Sequence, residues 1–96
     1  MSQYKDGNYK GSAIGHNAEI TVGVKIQNGN IENINIIEHH EDPGLGGEAF
    51  PKIKEEILKK QTYIVDAISG ATNTSNGFKQ AVKNALDKAK KNQPSH

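Results

Sequence analysis

The architecture of this chain follows from one hairpin, Ile20-Thr21-Val22-Gly23-Val24-Lys25-Ile26-Gln27-Asn28-Gly29. Ile20, Val22, Val24 and Ile26 occupy alternate positions, so their side chains lie on one face of a strand. The Asn-Gly pair at the end of the run is the strongest short-range signal for a two-residue hairpin turn. The sequence therefore predicts two antiparallel strands joined by this turn.

The return strand is predicted at residues 31–38, where the apolar side chains do not keep one phase. Ile34 and Ile36 share a face, whereas Ile31 and Ile37 fall off it. One extra residue in a strand moves the side chains that follow to the opposite face. A β-bulge or a two-sided position near Ile37 would explain the mixed phase.

The other elements are placed by alternation, by glycine and proline, and by helical spacing. Residues 8–14 alternate roughly between polar and apolar side chains and predict another strand. Residues 41–47 contain a proline and three glycines, which predicts a loop. A helix is expected from about residue 48 to 60 with Pro51 in its first turn. Residues 62–65 are β-prone and predict an edge strand.

The last helix has the clearest pattern, because its apolar side chains recur at spacings of three and four. They are Phe78, Ala81, Val82, Ala85, Leu86 and Ala89. Thr74 or Ser75 is predicted to cap its N-terminus. The fold class is therefore α+β, a small antiparallel sheet with two helices packed on one face. We expect one domain over residues 1–96, with a polar tail from about residue 91.

Composition limits the classes of function. The 96 residues suit one core, and the net charge of +1 gives little support to nucleic-acid binding. The chain has no cysteine, which excludes disulfides, thiolate zinc sites and iron–sulfur clusters. His39 and His40 are adjacent on a predicted strand and point to opposite faces, so we expect no metal site there.

The segment with the strongest functional signal is Asp66-Ala67-Ile68-Ser69-Gly70-Ala71-Thr72-Asn73-Thr74-Ser75, directly before the last helix. The free N–H groups and the dipole at a helix start favour a phosphate. A capped helix after a flexible turn is the alternative, but capping requires one hydroxyl and Gly70-Ala71 serves no capping role. Four hydroxyls are present, on Ser69, Thr72, Thr74 and Ser75.

Motifs along most of the chain resemble those of the FMN-binding domain family, in the family's order and spacing. They are Asp6-Gly7-Asn8-Tyr9-Lys10-Gly11, the Asn28-Gly29 turn, Glu41-Asp42-Pro43-Gly44-Leu45-Gly46, and Asp66-Ala67-Ile68-Ser69-Gly70-Ala71-Thr72. Asn8 and Asp42 stand where members of the family typically carry threonine. The last motif matches without a departure.

The resemblance implies that FMN is joined through its phosphate to the hydroxyl oxygen of Thr72. It also implies cofactor contacts from two segments. Residues of the phosphate segment would be Ser69, Gly70, Ala71, Thr74 and Ser75; those of the other segment would be Glu41, Pro43, Gly44, Leu45 and Gly46. Leu45 would lie against the isoalloxazine ring, and His40 would couple proton transfer to electron transfer. Asp66 would orient the loop or serve the enzyme that attaches the flavin.

Similar domains occur as the C subunit of the sodium-translocating NADH:quinone oxidoreductase, the G subunit of the Rnf complex and a module of fumarate-reductase-like flavoproteins. The implied function is that of an electron carrier without catalytic residues of its own, working with redox partner proteins. A flavin transferase would attach the cofactor, outside the cytoplasm, and any membrane association would come through a larger complex. Two other functions stay open, a non-covalent binding module for FMN or another phosphate ligand and a structural or inhibitory domain.

Overall fold

Three antiparallel strands and two helices make up the fold in a computed structural model that describes residues 4–15, 19–38 and 43–90. The strands are β1 (Gly7–Ile14), β2 (Glu19–Gln27) and β3 (Asn30–Glu38), and they lie side by side in chain order. The helices are α1 (Pro43–Lys60) and α2 (Thr72–Ala89). The predicted α+β class is confirmed. The predicted polar tail lies outside the described residues, and so do His39, His40 and Glu41.

The hairpin between β2 and β3 has the predicted turn. Asn28 and Gly29 have φ angles of 56° and 78°, and two successive residues with positive φ are typical of a type I′ turn. The backbone N–H of Gly29 donates to Oδ1 of Asp6 over 3.0 Å, which ties the turn to the chain before β1. The predicted hairpin is confirmed.

The register of β2 with β3 explains the mixed phase of the isoleucines. Val22 pairs with Ile36, but Thr21 pairs with Glu38, so Ile37 is the extra residue of a bulge. The predicted bulge at this position is confirmed. A second shift leaves Glu32 without a partner, and the sequence did not indicate this one. Because of it, Ile31 returns to the core face, where it is 3% exposed.

Both helices cover the face of the sheet that carries the alternating apolar residues of β2. Helix α2 lies over β1 and β2, whereas α1 packs on α2 and β3. Gly11 and Gly77 permit the close approach of α2, because a Cβ atom on Gly11 would collide with the carbonyl oxygen of Ala81. On Gly77 it would lie 2.5 Å from Cα of Gly15. The core is aliphatic, with two aromatic rings between the helices.

The start of α1 corrects the sequence-based prediction. Residues 43–47 were expected in a loop, but the helix begins at Pro43 and includes them. Proline suits the first helical position, because its φ angle is already helical and its missing N–H needs no partner there. Pro51 is therefore an interior residue of an 18-residue helix and not part of its first turn. The glycines at positions 44, 46 and 47 favoured the prediction of a loop, although Pro43 is a typical first residue of a helix.

The segment between the helices is the second correction. Residues 62–65 were predicted to form an edge strand, but residues 62–71 form neither strand nor helix. Side chains bind the backbone here instead: Thr62 Oγ1 accepts from the N–H of Ile64, and Lys79 Nζ donates to the carbonyl oxygen of Val65. The edge of the sheet next to β3 is used by Gln61, whose side-chain amide bonds both backbone groups of Ile31.

Candidate functional site

A tight turn precedes α2. The N–H of Ala71 donates to the carbonyl oxygen of Ile68 over 2.9 Å, and Gly70 at the third position of the turn has a φ angle of 86°. This geometry is that of a type II turn, which favours glycine at its third position. A Cβ atom on Gly70 would meet nothing within 4 Å, and Ser69 is exposed as well. The outer side of the turn is therefore open to a ligand.

Helix α2 begins immediately after this turn, at Thr72, and its N-terminus carries no side-chain cap. The first hydrogen bond of the helix joins the N–H of Ser75 to the carbonyl oxygen of Ala71 over 2.9 Å. The three N–H groups before it, on Thr72, Asn73 and Thr74, have no acceptor within the helix. The predicted cap by Thr74 or Ser75 is wrong, because the helix starts earlier and both residues lie within its first turn.

The four hydroxyls of the segment fall into two pairs. Ser69 and Thr72 are exposed, whereas Thr74 and Ser75 are fully buried. Ser75 Oγ accepts a hydrogen bond of 3.0 Å from the N–H of Ile68, so this hydroxyl holds the turn against the helix. Thr74 Oγ1 is buried without a hydrogen-bond partner among the described residues. An unpaired buried hydroxyl costs about 1–3 kcal/mol, so a ligand that pairs with it would recover that free energy.

The second predicted segment forms the first turn of α1. Pro43, Gly44, Leu45 and Gly46 all lie in this turn. A stacked aromatic pair joins the N-terminal halves of the two helices, since the ring centroids of Phe50 in α1 and Phe78 in α2 are 5.1 Å apart.

Phe50 follows Leu45 by five residues, and Phe78 follows Thr72 by six. Leu45 and Thr72 thus lie within about 9 Å of the aromatic residue of their own helix along the helix axis. The fold places the backbones of the two predicted segments at the starts of two helices whose N-terminal halves are in contact. The predicted contact with Glu41 lies outside the described residues.

One residue that sequence reasoning missed is Lys79, whose Nζ atom lies 2.6 Å from the carbonyl oxygen of Val65. The available signal was its spacing, because Lys79 follows Ser75 by four residues and lies on the same face of α2. Both side chains bind the segment that leads into the turn. The spacing alone does not reveal that the partners of both side chains are backbone groups.

The electrostatic features of α2 differ along its length. Its first turn contains no acidic residue. At the other end, burial acts to raise the pKa of Asp87, but hydrogen bonds from Lys83 and Lys90 and their charges lower it below its ordinary value. The hydrogen bond and charge of Asp87 raise the pKa of Lys83 in turn. Asp87 is fifteen residues from Thr72, about 22 Å along the helix, so this ion pair does not act on the turn.

Within residues 4–15, 19–38 and 43–90, His, Cys, Asp and Glu form no group of three or more that could hold a metal ion. Neither helix in this part of the chain is long and apolar enough to cross a membrane.

A family model for the FMN-binding domain matches residues 15–87 of the chain, which include the first turn of α1, the turn at Gly70 and most of α2. The chain belongs to the FMN-binding domain family. FMN is therefore the cofactor of this domain.

Two relatives of this FMN-binding domain are oxidoreductases much longer than the chain. The chain is 34% identical over 87 residues to NADH:acrylate oxidoreductase of Vibrio harveyi, a match that covers 91% of the chain and 9% of that protein. It is 35% identical over 79 residues to urocanate reductase of Eggerthella lenta, covering 82% of the chain and 13% of the reductase. A protein of Treponema pallidum without an assigned function is 34% identical over 85 residues, covering 88% of the chain and 24% of that protein. The chain thus spans less than a quarter of the length of these relatives.

A solved structure shares the fold. The crystal structure of a Clostridium perfringens protein superposes with a TM-score of 0.70 at 23% identity, covering 90% of this chain and 88% of that one. At this identity the similarity establishes the fold and carries no information on ligand or activity.

The residues at the start of α2 fit the phosphate of FMN. An exposed hydroxyl on Thr72, three N–H groups free of helical partners and the positive end of an 18-residue helix dipole meet beside the open side of Gly70. The unpaired hydroxyl of Thr74 lies in the same turn of the helix. These donors complement an anion, and no carboxylate in the first turn opposes one.

Proposed function

We propose that this chain is an electron-transfer flavoprotein domain that carries FMN joined by a phosphoester bond to Oγ1 of Thr72. The observation that carries the proposal is the position of Thr72. It is exposed, it is the first residue of an uncapped helix, and it follows a turn whose outer side is open. A phosphoester at this atom would keep one negative charge beside the free N–H groups of the first turn.

The attachment step replaces one bond to phosphorus by another. Thr72 Oγ1 forms the new O–P bond, an activated flavin nucleotide loses the leaving group from that phosphorus, and the hydroxyl proton passes to a base. A threonine hydroxyl is a weak nucleophile without such a base. Among the described residues, none is hydrogen-bonded to the Thr72 hydroxyl. A separate flavin transferase therefore supplies the base and the activated nucleotide.

After attachment, the residues of this chain hold the cofactor in place. The N–H groups of Thr72 and Asn73 and the hydroxyl of Thr74 donate to the phosphate oxygens, and Gly70 leaves the approach open. In this proposal Leu45 and its neighbouring glycines border the ring, and the position of their segment in the first turn of α1 supports this role. The bound flavin supplies reversible electron transfer, and the protein adjusts it by hydrogen bonding and solvent exclusion.

In this proposal the domain is a carrier and not an enzyme by itself. Three of its relatives are larger oxidoreductases that each contain a segment similar to this chain, which supports electron exchange with other redox domains or proteins. We further propose that attachment takes place outside the cytoplasm and that any contact with a membrane comes through a larger complex. A covalent bond suits a carrier, because the cofactor stays bound in every oxidation state.

The same donors would also hold the phosphate of a non-covalently bound FMN, so the test must distinguish the bond from the binding. The domain is co-expressed with a flavin transferase and denatured, and the protein is then separated from small molecules. Intact mass and visible absorbance are measured for the wild type and for Thr72→Val, which keeps the branched shape and removes the hydroxyl. Asn73→Ala is the matched control, because it changes the exposed neighbour on the same helical turn.

We expect the wild type and the control to retain one flavin per chain after denaturation and Thr72→Val to retain none. Flavin that elutes from the denatured wild type supports the non-covalent alternative. Flavin retained by Thr72→Val places the bond on another residue. A colourless wild type in the presence of an active transferase contradicts both forms of the proposal.

A further inference from the structure

Lys79 is not part of the hydrophobic core, but its side chain makes a hydrogen bond to the backbone of another segment. It lies on α2 at intermediate exposure, and its ammonium group donates to the carbonyl oxygen of Val65 over 2.6 Å. Val65 belongs to the irregular segment of residues 62–71, where no neighbouring strand offers the backbone a partner. A charge-assisted hydrogen bond is shorter and stronger than one between neutral groups. Lys79 is therefore a strong anchor for this segment.

A second anchor holds the same segment three residues later. The N–H of Ile68 donates to the buried Oγ of Ser75. Ser75 and Lys79 are one helical turn apart, so both anchors come from one face of α2. They fix the backbone on both sides of Asp66, which is exposed and has no hydrogen bond or ion pair with another described residue. Its carboxylate is left free for an external partner.

We propose that Lys79 is a positioning residue for the attachment of FMN to Thr72. This inference rests on the proposed function, because it assigns Lys79 a role in presenting the segment to the flavin transferase. With both anchors in place, Asp66 and the turn at Gly70 stand in one fixed arrangement beside the acceptor hydroxyl. Without Lys79, the chain before Ile68 samples many arrangements, and the transferase binds only the fraction that is correctly ordered.

The kinetic consequence is specific. When only a fraction of a substrate is competent to bind, the apparent dissociation constant rises by the inverse of that fraction. Loss of this hydrogen bond shifts the equilibrium between ordered and disordered segments by about fivefold, so the ordered fraction falls by at most that factor. Once bound, the hydroxyl of Thr72 meets the same transferase groups, so the rate at saturation is unchanged. Lys79 therefore acts on KM and not on kcat.

The test uses the flavin-free domain as the substrate of a purified transferase with its flavin nucleotide. KM and kcat are measured for the wild type, Lys79→Met, Lys79→Arg and Lys88→Met. Lys88→Met is the matched control, since Lys88 is an exposed lysine in the last turn of the same helix. Hydrogen exchange at the N–H groups of Ile68 and Ala71 is followed in the same proteins, and this readout needs no flavin.

We expect Lys79→Met to raise KM by up to about fivefold, with kcat unchanged, and to accelerate hydrogen exchange at Ile68. Lys79→Arg should restore most of the wild-type KM, and Lys88→Met should match the wild type. A wild-type KM for Lys79→Met, or a lower thermal midpoint without any change in KM, overturns the inference. Failure of the proposed function shows differently, as a wild-type domain that accepts no flavin at Thr72.

Discussion

The two ends of α2 differ in how the chain pairs a key polar side chain, Asp87 at the C-terminal end and Thr74 at the N-terminal end. Asp87 accepts hydrogen bonds from Lys83 and Lys90 at 3.0 and 3.3 Å. Thr72 starts the helix without a side-chain cap, and Thr74 keeps a buried hydroxyl without a partner among the described residues. The same 18-residue helix thus has one end complete in itself and one end suited to an anion.

This difference indicates that a cofactor can stabilise the domain mainly through the N-terminal end of α2. The unpaired groups at the N-terminal end make the cofactor-free domain less stable than its packing allows, by about 1–3 kcal/mol for a buried hydroxyl. A ligand that pairs with them stabilises the folded state through mass action or, when covalent, permanently. The C-terminal end contributes to stability in either state. Substitutions at the two ends should therefore respond differently to flavin.

The largest expected effect comes from displacing the N-terminal half of α2. In Gly77→Ala the new methyl group would lie within 3 Å of backbone atoms of Gly15 and Ile14, which cannot rotate away. The helix propensity gained by alanine, about 1 kcal/mol, does not offset this overlap. We expect a net loss of about 2 kcal/mol in the free energy of unfolding by urea.

Asn76→Ala is the control for this substitution, because residue 76 is the exposed neighbour on the same helix. It should change the free energy of unfolding by less than about 0.5 kcal/mol. Equal stability of Gly77→Ala and the control would show that α2 does not depend on close contact with the chain after β1.

Removal of the two buried hydroxyls at the N-terminal end of α2 should change the stability of the flavin-free domain in opposite directions. Thr74→Val replaces an unpaired hydroxyl with a methyl group and should stabilise the flavin-free domain by about 1 kcal/mol. Ser75→Ala removes the acceptor of the Ile68 N–H and should destabilise it by a similar amount. Urea unfolding of both flavin-free variants measures the difference.

The same two variants separate the cofactor-free domain from the loaded one. In Thr74→Val the stabilisation that flavin adds to the domain should shrink, because the phosphate loses one donor. Destabilisation of the flavin-free domain by Thr74→Val would mean that the hydroxyl already has a partner and that this end of the helix is as complete as the other.

The smallest effect is expected at Asp87. Its pKa is lowered from the ordinary 3.8 because the hydrogen bonds and charges of Lys83 and Lys90 outweigh burial. The resulting stability is fully present above the ordinary pKa and is lost as pH falls through the lower folded-state pKa. Asp87→Asn should cost about 0.5 kcal/mol at pH 7 and nothing at strongly acid pH.

Urea unfolding at several pH values checks this dependence, with Glu55→Gln on the exposed side of α1 as the control. The control should follow the wild type across the range. If the difference in stability between Asp87→Asn and the wild type does not depend on pH, the ion pair does not stabilise the C-terminal end of α2.

Features that depend on neighbours in the chain could be predicted from the residues alone. The alternation of residues 20–26, the Asn28-Gly29 turn and the bulge at Ile37 were all confirmed. The apolar stripe of α2 was confirmed too, since its side chains are buried against the sheet. Alternation and turn geometry act over two to four residues, so they are legible without knowledge of the fold. The family motif around Thr72 is local in the same sense.

The lack of a strand at residues 62–65 and the different states of the hydroxyls required the folded chain. Residues 62–65 have β propensity, but Gln61 takes the free edge at Ile31 and Lys79 takes the carbonyl oxygen of Val65. Thr74 and Ser75 are neighbours in sequence and chemically alike, yet only Ser75 meets a backbone donor. Such partners come from residues seven to thirty positions away, and packing alone determines which of them meet.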